Sequence, residues 1–249
     1  MTTHTTRRAL SEAELAALNA RFAEAEPQEL IGWAAAAYPG KLAISCSFGG
    51  PSGMVLLDLA LQIDRSIPVI YVDTDYLFPE TYATVQAVRD HYGIAPLAFR
   101  STLSPETQAA LHGPALWERD PDACCALRKV APMREALAHF DAYLTGLRRD
   151  QASTRRETPL AQWDAQFDVL KLNPLASWSE SQVWGYIVQH NLPYNPLHDR
   201  GYPSIGCTNC TRAVQPGEDP RAGRWSGTDK IECGLHVAGN REQVTGNRE

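Results

Sequence analysis

The sequence predicts an α/β protein built on a doubly wound, mainly parallel sheet and followed by an irregular C-terminal segment. Two observations carry this prediction. Short apolar runs alternate with stretches of helical periodicity between residues 11 and 190, and strands that alternate with helices are typical of parallel sheets. From about Asn195 the periodicity is lost and Pro and Gly become frequent, so the last part of the chain is expected to lie over the domain as irregular structure.

The individual elements follow from apolar patterns and from start and stop signals. Ser11 and Glu14 form a capping-box pattern at the start of a helical stretch over residues 11–38. Further helices are predicted over residues 54–63, 79–91, 124–139 and 179–190. Strands are predicted over residues 41–47, 68–72, 97–99, 142–145 and 169–172. This order is that of consecutive strand–helix units.

The composition argues against a nucleic-acid or membrane binder. The chain has 249 residues and a formal net charge of −6, and an acidic chain is a poor general ligand for a polyanion. No apolar run reaches the roughly 18 residues of a membrane span, and residues 1–8 show no signal-peptide pattern. A cytoplasmic location is therefore expected. Basic residues nevertheless concentrate within residues 128–156, which suits either a small anionic ligand or a solvated helix face.

Two segments at predicted strand ends are candidates for ligand binding. Residues 45–53, Ser-Cys-Ser-Phe-Gly-Gly-Pro-Ser-Gly, lie between a strand and a helix, where backbone N–H groups and the helix N-terminus attract anions. This loop is neither a Walker A loop nor a dinucleotide fingerprint, and a plain tight turn is the alternative. Asp73 follows the next strand and could equally cap the next helix. Because ligands of open parallel sheets bind beyond the carboxyl ends of strands, we expect both segments to border one pocket.

The chain has six cysteines, and four of them form a pattern typical of metal binding. Cys124 and Cys125 are adjacent at the start of a predicted helix, and a Cys207-x-x-Cys210 pair follows later. Without a secretion signal, such a set indicates metal or redox chemistry before disulfides. Immediate neighbours reach one tetrahedral zinc ion with difficulty, whereas separate irons of a 4Fe–4S cluster can each take one thiolate. The spacing favours the cluster over zinc, with buried thiols beside an incidental Cys-x-x-Cys as the third alternative.

Cys233 stands apart from the other cysteines, on the glycine-rich C-terminal segment. A nucleophilic thiol needs a lowered pKa and access to its electrophile, and basic neighbours can supply the first. The basic residues near it in sequence are Arg221, Arg224, Lys230 and His236. Cys233 is therefore a candidate nucleophile, with an exposed thiol of no function as the alternative. Cys46, at a predicted strand end, is expected to be a small core residue.

Together these motifs resemble the assimilatory sulfonucleotide reductases, specifically the iron–sulfur-containing branch that acts on adenosine 5′-phosphosulfate (APS). The resemblance runs in order from about residue 25 to residue 236. Its motifs are Ser47-Phe48-Gly49, Asp73-Thr74, Leu77-Phe78-Pro79-Glu80-Thr81-Tyr82, Cys124-Cys125-Ala126-Leu127-Arg128-Lys129, Thr145-Gly146-Leu147-Arg148-Arg149-Asp150-Gln151, Ser204-Ile205-Gly206-Cys207-Thr208-Asn209-Cys210-Thr211-Arg212, Arg221-Ala222-Gly223-Arg224-Trp225 and Glu232-Cys233-Gly234-Leu235-His236. The double-cysteine motif and the last motif are highly specific in combination.

The resemblance implies a reaction in two halves. Cys233, as the catalytic thiolate, would attack the sulfur of APS, expel AMP and become S-sulfonated. Thioredoxin or glutaredoxin would then attack the adduct and release sulfite, as part of assimilatory sulfate reduction. The implied substrate-binding residues are Ser47, Phe48, Gly49, Asp73, Lys129, Arg148, Arg221, Arg224 and His236. Among them Lys129, Arg221 and Arg224 would neutralise the phosphosulfate, whereas the glycine loop and the region of Asp73 would hold the adenosine.

The resemblance also implies the cofactor and the organisation of the chain. Cys124, Cys125, Cys207 and Cys210 would ligate a 4Fe–4S cluster that passes no electrons to the substrate, and these cysteines go with APS rather than its 3′-phosphorylated relative (PAPS). The expected fold is like that of the adenine-nucleotide alpha-hydrolases. Residues 1–24 would form an N-terminal helical extension, residues 25–200 the nucleotide-binding domain, and residues 201–249 a C-terminal tail that completes the cluster site and closes over the substrate. The sequence leaves the oligomeric state open, and a homo-oligomer is compatible with it.

Two positions depart from the usual family pattern. The turn at residues 49–53 is about one residue longer than the usual loop and lacks its acidic residue. Asp75 stands where a glycine is more familiar. Both departures concern how the loop holds the nucleotide and leave the thiol chemistry unchanged.

Two other functions compete with the reductase. An ATP-using pyrophosphatase-type ligase shares the expected fold, but its loop needs Ser-Gly-Gly-x-Asp-Ser, and residues 47–52 lack that aspartate. An iron–sulfur redox sensor that binds a nucleotide is a non-enzymatic alternative. Cys233 discriminates between them, because a sensor has little need of a thiol outside the cluster set.

Overall fold

The computed structural model describes residues 7–235. Within them the strands are β1 (Leu42–Ser45), β2 (Val69–Asp73), β3 (Leu97–Arg100), β4 (Ala142–Thr145), β5 (Ala161–Asp164) and β6 (Val169–Leu172). The α-helices are α1 (Glu12–Arg21), α2 (Pro27–Ala37), α3 (Pro51–Ile63), α4 (Pro79–Tyr92), α5 (Pro105–His112), α6 (Leu116–Arg119), α7 (Pro121–Cys125), α8 (Ala131–Leu137) and α9 (Glu180–His190). A π-helical turn, Ala126–Val130, joins α7 to α8.

The strands form one sheet in the order β3-β2-β1-β4-β6-β5. Every neighbouring pair is parallel except β5 and β6, which run antiparallel at one edge. Helices pack on both faces of the sheet, so the predicted fold class, a doubly wound and mainly parallel sheet, is confirmed. No helix of residues 7–235 is long and apolar enough to cross a membrane.

Each face of the sheet carries its own apolar core. Along β1, Leu42 and Ile44 belong to the larger core, which α2, α3 and α9 complete, whereas Ala43 belongs to the smaller core under α8. This division follows from the two-residue repeat of a strand, which sends successive side chains to opposite faces. Helix α3 is enclosed on all sides, and its residues from Met54 to Leu61 are all buried. This burial explains its nearly continuous apolar sequence.

Proline and capping residues set the helix boundaries. Proline opens α2, α3 and α4, where its missing N–H costs no helical hydrogen bond. Gly93 ends α4 in the left-handed region at φ 66°. Ser179 forms a capping box at the start of α9. The helices predicted over residues 79–91 and 179–190 begin within about one residue of α4 and α9, whereas α3 begins at Pro51 and not at the predicted Met54.

The structure differs from the predicted elements in three further places. The helix predicted over residues 11–38 is two helices, because Pro27 is tolerated only at a helix start. The helix predicted over residues 124–139 is α7, a π-helical turn and α8 in succession. Strand β5 was not predicted; only Ala161 of its residues is buried, so it has no apolar run.

The order in which the chain adds strands to the sheet reverses between β1 and β4. From β1 the chain continues to β2 and β3 on one side, and from β4 it continues to β6 on the other. The loops that follow β1 and β4 therefore separate and leave a crevice at the carboxyl ends of these strands. The two loops also touch: a Cβ on Gly146 would lie 2.9 Å from the backbone C and O of Ser52. Only glycine at this position permits that approach.

We predict that Gly146→Ala lowers the free energy of unfolding by about 1–3 kcal/mol, because the added methyl group collides with the backbone of the neighbouring loop. Chemical denaturation under anaerobic conditions measures the change. Gly185→Ala is the matched control, since nothing lies within 4 Å of a Cβ at that position of α9. The control is expected to be neutral or stabilising by up to about 1 kcal/mol. Equal destabilisation by both variants would contradict the proposed close contact.

Candidate functional site

A cavity of about 280 Å³ lies at the carboxyl ends of β1 and β4. This is close to the lower end of the range for small-molecule sites, roughly 300–1,000 Å³. Its walls come from the glycine loop, the loop after β4, the π-helical turn and the C-terminal tail. The residues that matter below are Ser47, Gly49, Lys129, Arg148, Arg155, Arg221, Arg224, Glu232 and Cys233. The cavity therefore combines a backbone loop, several cations and the thiol of Cys233.

The glycine loop is held from behind by the segment that follows α9. The side-chain amide of Asn195 donates to the carbonyl of Phe48 at 3.2 Å. His198 Nε2 lies 2.9 Å from the carbonyl of Gly49, and because a carbonyl only accepts, Nε2 carries the proton. Burial lowers the pKa of His198, so the neutral ring is favoured. Two carbonyls of the loop are thus fixed on the side away from the cavity.

Arg148 joins the loop after β4 to the start of α3. Its Nε donates to Asp150 at 2.8 Å, and its Nη1 donates to the hydroxyl of Ser52. The guanidinium is almost completely buried, and Asp150 in turn accepts from the backbone N–H of Glu180 at 2.7 Å. Arg148 therefore links the loop after β4 to the start of α3 and, through Asp150, to the start of α9. Its positive charge is paired with the carboxylate of Asp150.

Lys129 brings a buried ammonium group next to the thiol of Cys233. Its Nζ lies 3.9 Å from Cys233 Sγ, and both residues are buried. Burial alone lowers the pKa of Lys129, but attraction to Cys207, Cys233 and Cys125 outweighs burial and raises it. Lys129 is therefore protonated, and the surrounding cysteines compensate its charge.

The surroundings of Cys233 favour its thiolate form. A hydrogen bond from the Cys125 thiol lowers the pKa of Cys233 well below its usual range; burial opposes the shift and Lys129 reinforces it. The same contact, with burial, raises the pKa of Cys125, so Cys233 is the more readily ionised thiol of the two. A thiolate inside a cation-lined cavity is the arrangement of a nucleophile.

The other four cysteines approach one another from two parts of the chain. Cys124 and Cys125 end α7, and the backbone of Cys207 pairs with that of Leu77, which follows β2. Within the C-terminal tail, the backbone N–H of Trp225 donates to the carbonyl of Cys210 at 3.0 Å. None of the four forms a disulfide, and all border one apolar cavity of about 10 Å³. Thr74 contacts Cys207 Sγ at 3.3 Å.

The donor set fits an iron–sulfur cluster in its chemistry. Within residues 7–235, three buried side-chain donors lack a partner: Arg128 Nη2, Arg224 Nε and Trp225 Nε1. Of these three residues, Arg128 borders the cysteine cavity. An unpaired buried donor beside four free thiols is what an anionic thiolate and sulfide group would satisfy. As they stand, the side chains of the described chain contain no group spaced to hold a single metal ion, so the fit is one of donor chemistry rather than of present spacing.

Glu232 connects the C-terminal tail to the wall of the cavity. Its carboxylate accepts from Arg155 Nε at 2.9 Å and Arg155 Nη2 at 2.8 Å. It also accepts from Arg221 Nη2 at 3.0 Å and from the backbone N–H of Cys233 at 2.8 Å. Gln166 adds a bond to the carbonyl of Gly234 at 3.0 Å. The tail is thus fixed on both sides of Cys233.

The structure brings most of the predicted site residues together. Ser47, Gly49, Lys129, Arg148, Arg221, Arg224 and Cys233 border the same cavity. Phe48 and Asp73 do not: Phe48 packs in the core against Tyr71, and Asp73 is fully buried, where it accepts from Tyr82 and Arg100. His236 lies outside the described residues. Cys46 is buried, and burial raises its pKa to about 12, as suits a core residue.

Four residues of the site carried no predicted role. Asn195 and His198 hold the glycine loop, and Arg155 pairs with Glu232. Arg155 belonged to the basic segment and Glu232 to a specific motif, so their presence was visible in the sequence. Their pairing was not, because the two residues are 77 positions apart. Asn195 and His198 lie where the periodicity ends, and polar residues there read as ordinary loop.

Comparison with known proteins gives a consistent family assignment. The family model described as the phosphoadenosine phosphosulfate reductase domain matches residues 41–213. A protein of Halalkalibacterium halodurans named adenosine 5′-phosphosulfate reductase is 49% identical over 84% of this chain and 90% of its own length. A protein of the same name from Salinibacter ruber is 43% identical over 92% of this chain and 90% of its own.

The solved structures agree on the fold. The crystal structure of phosphoadenylyl-sulfate (PAPS) reductase from Candida auris, a phosphate complex, superposes with a TM-score of 0.73. It is 33% identical and covers 83% of this chain and 100% of its own. FMN adenylyltransferase from Candida glabrata superposes with a TM-score of 0.55 at 18% identity, over 85% of this chain and 71% of its own. The second likeness concerns the fold alone.

Proposed function

The chain belongs to the phosphoadenosine phosphosulfate reductase family, and we propose that within it the protein reduces APS to sulfite and AMP with Cys233 as the nucleophile. It is an oxidoreductase that acts on a sulfur group, as relatives with 43% and 49% identity are named adenosine 5′-phosphosulfate reductases. The observation that carries the proposed nucleophile is the position of Cys233, buried in the cavity with its sulfur 3.9 Å from Lys129 Nζ.

The first half-reaction is a nucleophilic displacement at sulfur. The thiolate of Cys233 attacks the sulfate sulfur of APS, a sulfur–sulfur bond forms, and the bond from sulfur to the bridging oxygen breaks. AMP leaves with that electron pair as its phosphate. Negative charge gathers on the phosphosulfate, and Lys129, Arg221 and Arg224 border the cavity in positions to neutralise it. The protein's main contribution is to hold the anion and aim the thiolate.

The second half-reaction needs two electrons from outside the protein. A thiolate of a dithiol protein attacks Cys233 Sγ in the adduct, sulfite leaves with the electron pair of the sulfur–sulfur bond, and a mixed disulfide forms. The partner's second thiol then breaks this disulfide and returns Cys233 as a thiolate. Thioredoxin or glutaredoxin fits this role. Since Cys233 is buried in the tail as it stands, the tail must move to admit the partner.

The glycine loop is the proposed site of the adenosine end of APS. Ser47 and Gly49 border the cavity at the carboxyl end of β1, where open parallel sheets bind nucleotides. Neither Phe48 nor Asp73 borders the cavity. They would support the glycine loop and the end of β2 without contacting the adenosine. Arg148 would support the loop through Ser52. The loop is about one residue longer than the usual family loop, and this difference would alter how it contacts the adenosine.

Cys124, Cys125, Cys207 and Cys210 are the proposed ligands of a 4Fe–4S cluster. When bound, the cluster would supply a fixed anionic charge beside the π-helical turn and no electrons to the substrate. Arg128 carries an unpartnered donor and borders the cavity that these thiols line. Cys125 would give up its hydrogen bond to Cys233 on binding iron, since a ligating thiol is deprotonated. Lys129 would then be the group that stabilises the Cys233 thiolate.

The proposal extends to the organisation and setting of the protein. The division into residues 1–24, 25–200 and 201–249 assigns nucleotide binding to the middle part and the nucleophile to the C-terminal tail. A cytoplasmic location suits a substrate and dithiol partners that occur there. The preference for APS over PAPS rests on the names of the relatives at 43% and 49% identity and on the four cysteines.

We predict that Cys233→Ser lowers sulfite release from APS by about three orders of magnitude or more, because the hydroxyl is a far weaker nucleophile than the thiolate. Steady-state assays with a dithiol protein measure the rate. Iron content and AMP affinity serve as controls and should stay within about twofold of the native protein. Normal turnover by the variant would refute Cys233 as the nucleophile.

A second prediction concerns the cofactor. Cys207→Ser should remove most of the bound iron, because the cluster loses one thiolate ligand. Iron and sulfide analysis with visible absorption measures the loss. Cys46→Ala is the matched control, since it removes a buried cysteine outside the proposed ligand set and should leave the iron content unchanged. Native iron content in Cys207→Ser would overturn the ligand assignment.

A further inference from the structure

Glu232 is the most heavily bonded side chain of the tail beside the nucleophile. Its two oxygens accept from Nε and Nη2, one edge of the Arg155 guanidinium, from Arg221, from the Thr154 hydroxyl at 3.3 Å and from the N–H of Cys233. The side chain of Glu232 is 10% exposed and that of Arg155 12%. A buried bidentate pair of this kind has one preferred geometry, unlike a point charge on a flexible stem.

The partners of Glu232 come from separate parts of the fold. Arg155 and Thr154 belong to the short 3-10 helix Ser153–Arg155, which follows the loop after β4. Arg221 precedes the nucleophile within the tail itself. One carboxylate therefore ties the segment that carries Cys233 to the loop of a central strand. The backbone N–H of Cys233 donates a 2.8 Å hydrogen bond to that carboxylate, so the position of Cys233 depends directly on that of Glu232.

We propose that Glu232 is the positioning residue that docks the C-terminal tail on Arg155 and thereby places Cys233 in the cavity. The docking itself stands on the contacts above, whereas its consequence for sulfur transfer rests on the proposed function. Arg155 then serves the tail rather than the substrate anion, and Arg221 is oriented toward the cavity by the carboxylate that it shares.

The first test measures docking without any substrate. Anaerobically purified holoenzyme is treated with iodoacetamide, and the alkylated fraction of Cys233 is followed with time by mass spectrometry. Trypsin cleaves after Lys230 and Arg241, so Cys233 is the only cysteine of its peptide, residues 231–241. Glu232→Gln and Arg155→Gln are each expected to raise the alkylation rate about tenfold, because each breaks the charge-assisted bonds that hold the tail.

The two substitutions separate docking from simple electrostatics. Glu232→Gln removes a negative charge near the thiolate and Arg155→Gln removes a positive one, so a purely electrostatic effect would change the alkylation rate in opposite directions. A rise in both variants reports an undocked tail. The double variant should be no faster than the faster single variant, since both substitutions break the same interaction. Glu218→Gln is the matched control: it breaks an exposed bidentate pair with Arg212 in the same tail and should leave the rate unchanged.

The second test links docking to the reaction. The rate at which saturating APS sulfonates Cys233 in a single turnover should fall about tenfold in Glu232→Gln, whereas the affinity for AMP and the iron content stay unchanged. A merely structural role would lower all three together. If the native protein forms no adduct while the alkylation pattern holds, the proposed function fails and the docking stands. Unchanged alkylation in Glu232→Gln, or sulfonation at the native rate, would overturn the positioning role.

Discussion

The site depends on the electrostatic attraction between the buried ammonium group of Lys129 and the cysteines around it. Burying a cation is costly unless anions surround it, and here Cys207, Cys233 and Cys125 compensate the charge of Lys129. Removing the anions would leave the charge uncompensated, so the cysteines and the lysine require one another. The contact with Cys125 lowers the pKa of Cys233, and the charge of Lys129 reinforces this shift. The same buried charge thus contributes both to the stability of the site and to the ionisation of Cys233.

The fold places that charge where a nucleotide can reach it. The reversal of strand order between β1 and β4 opens the crevice, and the π-helical turn that carries Lys129 forms one wall of it. The same turn also borders the small cavity that the four cysteines line. A cluster bound there would influence the cavity electrostatically, through Lys129, without contacting the substrate. Such a role needs no change in the oxidation state of the cluster, in agreement with the proposed reaction.

Local sequence signals predicted the elements and the types of site residue, but not the contacts across the fold. Pro51 and Pro79 mark helix starts, and glycine loops mark strand ends, because each acts within a few residues. The break before Pro27 could have been predicted by the same rule. Strand β5 has no apolar run and forms only because β6 offers an edge. Two contacts have no local sequence signal, because they form only when the chain is folded. Glu232 pairs with Arg155. The buried carboxylate of Asp73 accepts hydrogen bonds from Arg100 and Tyr82.

The most direct test of the central claim is the mass of the peptide over residues 231–241 after anaerobic holoenzyme meets APS, and separately PAPS, with every thiol reductant left out. The account predicts that APS adds one SO3 group to Cys233, that AMP appears in equal amount, and that a dithiol protein discharges the adduct as sulfite. An intact cluster with no adduct on this peptide, or AMP released without one, would contradict it.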